Sequence, residues 1–356
     1  MYVLAKGLVV APTTTCWTGP WLGATRATPL QRVANRPILC HVLDALLEAG
    51  VLETAIVATP DVAPEIAACV GGEGPSGISV RHIVDDATAT GGGALAAAAD
   101  FVGEAPCLLH RADGLLGQPI LSALEDQDEP RHDAVLLVQE RESRDRRLRL
   151  VPSMMREDAG GDGSLLEAGL AGACLLGAGV LARLRSSRCA EHPLDFAALA
   201  AAVAQAGGST RVRFARRWRH FTGDALELLD MNRAILDGLT GEAIADPDDG
   251  NRFEGAVAIH PSARVSSSIV IGPVIIGADA LISDSYIGPH TSIAERVRIE
   301  GAELERSIVL AEASIVHVGS RLVASVVGRQ AHIFRDFSMP RALRLQVGEG
   351  DEVALC

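Results

Sequence analysis

The stretch IHPSARVSSSIVIGPVIIGADALISDSYIGPHTSIAERVRIE (259–300) decides how this chain is read. Its aliphatic residues return on a fixed count. Ile259, Val265 and Ile271 stand six apart; so do Ile276 and Ile282, and again Ile287, Ile293 and Ile299, with five-residue steps between the series. Small residues follow many of them, as in Ile271-Gly272, Ile276-Gly277 and Ile287-Gly288. A single hexad cannot bury its aliphatic side chain alone, but stacked coils bury a continuous column. The spacing predicts a parallel β-helix. An irregular β-sandwich is the alternative, and eight positions on one count favour the helix.

Upstream, the polar stretch TGEAIADPDDGNRFE from Thr240 onward carries Gly, Pro and Asp and marks a domain boundary. The expected organisation is an α/β domain over 1–240, a linker over 241–255, the β-helix over 256–335 and a tail over 336–356. The first domain alternates strand and helix signals. KGLVVA (6–11), ETAIVAT (53–59), ISVRHIV (78–84) and PCLLHRAD (106–113) read as strands. RPILCHVLDALLEAG (36–50), APEIAACVG (63–71) and GALAAAADFVG (93–103) read as helices, each ending on glycine. This order implies a parallel sheet with helices on both faces. Ligands of such sheets sit beyond the carboxyl ends of strands, at the reversal of strand order. The loop after Ala11 and the turn at Asp113 are the places to look.

Composition narrows the function. The chain has 356 residues, 48% hydrophobic and 22% charged, as a globular two-domain protein should. A net charge of −13 argues against nucleic acid as partner. The basic run RESRDRRLR (141–149) is interleaved with acids and reads as a solvated hairpin. No apolar run approaches a membrane span, and MYVLAKGLVVA reads as a first strand rather than a signal peptide, so a cytoplasmic location is expected. Seven cysteines, none at C-x-x-C spacing, read as scattered reduced thiols.

Several segments resemble the long-form glucose-1-phosphate thymidylyltransferase family of sugar-1-phosphate nucleotidyltransferases. KGLVVA (6–11) is similar to its first strand, VANRPIL (33–39) to its V-A-N-K-P-V-L, and TGDALELLDMNRAIL (222–236) to its T-G-x-P-E-D-L-L-E-A-N-R helix. The tail segments IHPSARV, GPVIIGADALISDSYIGPHTSIAE and ERSIVLAEASI, and the ending RALRLQVGEGDEVAL (341–355), follow the family closely. The resemblance implies a Rossmann-like nucleotidyltransferase domain with a mixed, mostly parallel sheet, followed by a left-handed parallel β-helix. It also implies transfer of a nucleotide to a sugar 1-phosphate with release of pyrophosphate.

That chemistry needs a glycine loop facing phosphates, cations on those phosphates and carboxylates for Mg²⁺. The family's L-A-G-G-x-G-T-R-L becomes Ala11-Pro12-Thr13-Thr14-Thr15-Cys16-Trp17, without glycine, and Pro12 removes a backbone donor. The family lysine falls on Thr28. In the base-recognition segment Asp85, Thr88, Thr90 and Gly93 replace Gln, Pro, Gly and His. TGGGA (90–94) reads as a flexible helix entry rather than a dinucleotide fingerprint. Asp113 in HRADG keeps the first metal acid; Phe221 replaces the second. The sugar-phosphate clamp maps onto Pro152, Ser153 and Met154. One stabilising group lost costs roughly 10²–10³ in rate, so several leave almost no family activity.

Trp17 and Trp21 now lie in the former phosphate loop, and Trp218 stands just before Phe221. These rings suit an apolar ligand, or they simply fill a disused cleft. The expected ligand pocket comprises Thr13, Thr14, Cys16, Trp17, Trp21, Thr28, Asp85, Thr90, Gly93, Gly172, Trp218 and Phe221. His110, Asp113 and His220 are the acid–base candidates; the plainer reading is a leftover acid and two solvated histidines. No cofactor is expected, and Mg²⁺ is not, with Asp113 its only retained candidate ligand. Three functions compete. The first is a biosynthetic enzyme repurposed to bind a largely apolar small molecule. The second is a silent partner or ligand sensor for an active paralogue. The third is a true sugar- or cyclitol-1-phosphate nucleotidyltransferase with a shifted site. A homo-oligomer is expected, or a hetero-oligomer with such a paralogue, with neither nucleic acid nor membrane as partner.

Overall fold

The computed structural model describes residues 6–11, 27–84, 93–124, 132–140, 168–184, 202–215, 217–241 and 250–335. Its first domain is a seven-stranded sheet. In spatial order the strands are Thr210–Phe214, Ala134–Glu140, Ala168–Leu176, Cys107–Arg111, Lys6–Val10, Glu53–Ala58 and Ser79–Val84. Only Ala168–Leu176 runs antiparallel to its neighbours. The Lys6–Val10 strand pairs in parallel with Glu53–Ala58 on one side and Cys107–Arg111 on the other. The chain thus goes out to one edge and returns across its first strand, and the reversal of strand order falls between Ala11 and Ala112.

Alternation along these strands feeds two cores. Val9, Ile56, Leu108 and Leu175 face the helices Ile38–Glu48 and Ala225–Leu236. Leu8, Val57, Leu109 and Cys174 face the opposite layer, with Ala98 and Val102 of the Gly93–Val102 helix. The α/β layering expected from the sequence is present, with helices on both faces.

The second domain is a three-sided left-handed parallel β-helix made of three five-stranded parallel sheets. Each side stacks one inward column. The columns are Phe253-Val270-Ile287-Leu304-Leu322, Ile259-Ile276-Ile293-Val309-Val327 and Val265-Ile282-Ile299-Ile315-Ile333. One position corrects the hexad reading. Val270, not Ile271, is the inward rung: it is fully buried, whereas Ile271 pairs with Glu254 and is half-buried. The five-residue step therefore falls between Val265 and Val270. The first coil opens at Arg252–Glu254, inside the stretch read as linker, because Phe253 caps the first column.

Asparagine and serine bridge successive coils at one corner. Ser268 N donates to Asn251 Oδ1 at 3.0 Å, Ser285 N to Ser268 Oγ at 3.1 Å and Ala302 N to Ser285 Oγ at 3.3 Å. No helix among the described residues is long and apolar enough to cross a membrane.

At the junction of the two domains, where Ile308 of the β-helix packs into the first domain's core, lies a buried carboxamide. Asn232, in the middle of the Ala225–Leu236 helix, accepts a hydrogen bond from Ala34 N at 2.8 Å and donates to His290 O of the β-helix at 3.0 Å. Ala34 and Asn35 form the tip of the tight Arg32–Pro37 hairpin, both at positive φ (47° and 65°). That conformation suits Asn but costs a non-glycine such as Ala about 1 kcal/mol. Asn35 Nδ2 in turn donates to Ile293 O at 2.6 Å, and His290 Nε2 meets Asp237 Oδ1 at 2.8 Å. We expect Asn232→Ala, which strands an amide N–H and a carbonyl, to lower unfolding free energy by about 2–4 kcal/mol. Urea denaturation checks this, and a loss under about 0.5 kcal/mol would contradict the assigned role.

Candidate functional site

The site lies where Cys107–Arg111 ends beside Lys6–Val10. Ala112 N donates to Val10 O at 2.9 Å and carries the chain into Asp113. Asp113 is buried, with its side chain 3% exposed. Both of its oxygens are taken by one guanidinium. Arg111 Nε donates to Oδ1 at 2.9 Å and Arg111 Nη2 to Oδ2 at 2.7 Å. This is the planar, bidentate fork that arginine makes with carboxylates. The strand Arg219–His220 then pairs antiparallel with Gly114–Leu115, and Phe221 N donates to Asp113 O at 2.9 Å.

Trp218 closes the site. It is 6% exposed, and its benzo ring lies against Gly114 and Gly172. A Cβ at either glycine would overlap the indole, and at Gly172 it would also meet the Arg111 stem. The two glycines thus make room for the ring, and the ring shields the ion pair. Trp218 stands edge-on to His110 at 5.5 Å between centroids and stacks on His220 at 6.4 Å. Phe221 is fully buried in the same core.

His110 is not solvated, contrary to the plainer reading. It is 2% exposed because its strand position faces the Trp218 side of the sheet. Burial pushes its pKa down to about 4, although its ring accompanies a backbone partner, Arg111 O, 2.6 Å from Nδ1. Its imidazole is therefore neutral at pH 7. A ring nitrogen facing a carbonyl oxygen must donate, so Nδ1 carries the proton and Nε2 the lone pair.

Of the other expected residues, Thr28 is fully buried in the short 3₁₀ turn Thr28–Leu30, and Gly93 opens its helix. Thr13, Thr14, Cys16, Trp17, Trp21, Asp85 and Thr90 lie outside the described residues, as does the Arg141–Arg149 run. The structure gathers His110, Asp113, Gly172, Trp218, His220 and Phe221 into one cluster. Arg111 was missed by the sequence reading. Its signal was the i, i+2 relation to Asp113 at a strand end, which can place two side chains on one face.

Mg²⁺ does not fit these residues. Oxygen ligands for a divalent ion must come mainly from carboxylates, and the retained carboxylate is clasped by an internal cation. A metal on the same oxygens would be repelled by that guanidinium by several kcal/mol. Phe221 stands at the position of the second acid under the resemblance. Among the described residues, no group of three or more His, Cys, Asp or Glu side chains is placed to hold a metal.

No family model matches the chain. It is, however, 29% identical over 342 residues to a glucose-1-phosphate thymidylyltransferase of Streptomyces griseus, covering 91% of this chain and 92% of the relative. A second glucose-1-phosphate thymidylyltransferase, from Streptomyces antibioticus, is 25% identical over 350 residues, covering 93% and 94%. Over nearly its whole length the chain is thus similar to sugar-1-phosphate nucleotidyltransferases. A Bacillus anthracis structure described as a glucose-1-phosphate thymidylyltransferase in complex with a sucrose shares the nucleotidyltransferase fold. Its TM-score is 0.52 at 18% identity, covering 67% of this chain and 97% of that one.

Two outcomes test this arrangement. Arg111→Met leaves Asp113 as a buried, unpaired charge and should destabilise the fold by about 3–5 kcal/mol; a near-neutral change in chemical denaturation would refute the clasp. The second concerns His110. Its folded pKa lies below the unfolded value of 6.5, so the unfolded chain binds the extra proton between those values. The His110 contribution is fully present above pH 6.5 and is lost as pH falls toward 4. His110→Asn, which keeps a donor for Arg111 O, should be less acid-sensitive than wild type by up to about 3 kcal/mol. Parallel acid limbs in urea midpoints for the two proteins would exclude this.

Proposed function

We propose that this nucleotidyltransferase-family chain does not perform nucleotidyl transfer and works instead as a silent partner or ligand sensor beside an active paralogue. The observation that carries the reading is the Arg111–Asp113 clasp beneath Trp218. The acid that would hold a metal is neutralised by a cation of the same chain, and an aromatic ring and that cation's stem both close over Gly172. The frame around it is complete, with a closed β-helix and a hydrogen-bonded domain junction. A protein of this kind offers surfaces for assembly while the described residues around Asp113 pack closely.

A second reading rests on the stacked Trp218–His220 pair, whose histidine is only half-buried. Such a face suits a flat, largely apolar metabolite bound in the old cleft against Trp218 and His220.

The test is pyrophosphate release from each nucleoside triphosphate with a panel of sugar and cyclitol 1-phosphates and Mg²⁺. We expect no release above a protein-free control and no rise in melting temperature with dTTP. Turnover with any pair would overturn the proposal. Co-purification with an intact nucleotidyltransferase supports the partner role, whereas stabilisation by an apolar metabolite alone would move the conclusion to the second reading.

A further inference from the structure

Away from the cleft, two cysteines meet between neighbouring helices. Cys40 lies in the first turn of Ile38–Glu48 and is fully buried; Cys69 lies near the end of Ala63–Glu73 and is half-buried. Their sulfurs are 3.9 Å apart. Both thiols are free. Closing to a disulfide requires the sulfurs to approach by roughly 2 Å, within reach of side-chain rotation and a small helix adjustment.

The surroundings favour reaction at one of the two. Arg32 and Arg36 extend from the Arg32–Pro37 hairpin toward the same helix end. Arg32 pairs with the Glu73 carboxylate, and Arg36 Nη1 bonds Asp44 while its Nη2 donates to Glu73 O at 3.4 Å. The two sulfurs share a hydrogen bond in which either can donate; with Cys40 donating, that bond first, and the field of Arg32 and Arg36 after it, hold the Cys69 thiol below the ordinary range, while burial and Glu73 oppose this. Cys40 is pushed the opposite way by that hydrogen bond and by burial. The accessible sulfur is thus the better thiolate, and the enclosed one keeps its proton. The other described cysteines differ: Cys107 and Cys174 are fully buried, and burial raises both thiols.

We propose that Cys40 and Cys69 form a reversible disulfide on exposure to a peroxide, a thiol modification site unconnected with the nucleotide cleft. In the first step the Cys69 thiolate attacks one peroxide oxygen. An S–O bond forms, the O–O bond breaks, and the leaving hydroxide takes up a proton as water. In the second step Cys40 sulfur attacks the sulfenic sulfur. The S–S bond forms, the S–O bond breaks, and the Cys40 proton departs with the oxygen as a second water. Two thiols and one hydrogen peroxide give one disulfide and two waters.

The bond would staple the Ala63–Glu73 helix to the segment that carries the Ala34-Asn35 turn, and so to the domain junction. Closing so long a loop should raise the melting temperature by several degrees.

The full chain, treated with a small excess of hydrogen peroxide, is the material to test. We expect intact mass to fall by two hydrogens without added oxygen. Peptide mapping should place the crosslink at Cys40–Cys69, and the melting temperature should rise until dithiothreitol reverses it. Cys40→Ser should trap Cys69 as a sulfenic acid, seen as a dimedone adduct, with no thermal gain. Cys69→Ser, at the less buried position, keeps the test open should the first variant fold poorly: it should abolish both crosslink and thermal gain. A crosslink through other cysteines, or wild-type protein whose Cys40 and Cys69 stay titratable or only gain oxygen, would overturn the assignment.

Discussion

The Asn232 carboxamide holds this molecule together as one object. It has two hydrogen-bonding ends and uses both on backbone groups that have no partner within their own elements: an amide at a strained hairpin tip and a carbonyl at a β-helix corner. Buried backbone groups left unpaired cost more than the bonds themselves contribute, so the side chain acts chiefly by preventing two penalties. The consequences spread outward. The hairpin it fixes leads directly into the Ile38–Glu48 helix, which covers one face of the sheet. The helix that carries Asn232 follows the Arg219–His220 strand, which ties down the Asp113 turn.

From that frame the cleft inherits its geometry. The sheet still reverses strand order beside Asp113, where a doubly wound fold offers its ligand crevice. The described residues there pack closely around the acid. A guanidinium two residues upstream neutralises the acid, and an indole occupies the volume that Gly114 and Gly172 leave open. His110, held neutral by burial, completes a largely apolar lining. Magnitudes decide between a resting active site and a packed core here. A buried carboxylate without a cation is several kcal/mol unstable, and the internal arginine removes that cost without any bound ion.

How much of this was legible depends on the range of the interaction. The β-helix was read from its spacing because stacking forces the same side-chain type to recur on every coil. The slip at Ile271 arose because Ile269, Val270 and Ile271 are all aliphatic, and only pairing with Ile287 shows which one points inward. The strands of the first domain were legible as short apolar runs between glycine-ended helices. In the cleft the sequence resemblance put Phe221 and Thr28 where charged residues were expected, and both are buried. The long-range contacts were not legible. Trp218 reaches Gly172 across a long stretch of sequence, and Asn232 reaches Ala34 over 198 residues, so local pattern carries no trace of either contact. The Cys40–Cys69 contact is of the same sort: no C-x-x-C spacing announces it, and only the packing of two helices brings the sulfurs together.

The coupled nature of the cleft residues bears on how such a site persists. Arg111 without Asp113 would be a cation pressed against an indole and glycine backbone; Asp113 without Arg111 would be a buried anion. Trp218 requires glycine at both 114 and 172, and a side chain at either would displace the ring that covers the pair. Each group is tolerable only in the presence of the others, which is how neighbours in one network come to be non-additive. A second carboxylate at 221 would enter a site where the Nε and Nη2 donors of Arg111 are already engaged by Asp113. The surroundings would then favour expelling the charge over binding a metal. The residues around Asp113 therefore behave as one packed unit, in which a change at any of them is felt by the rest.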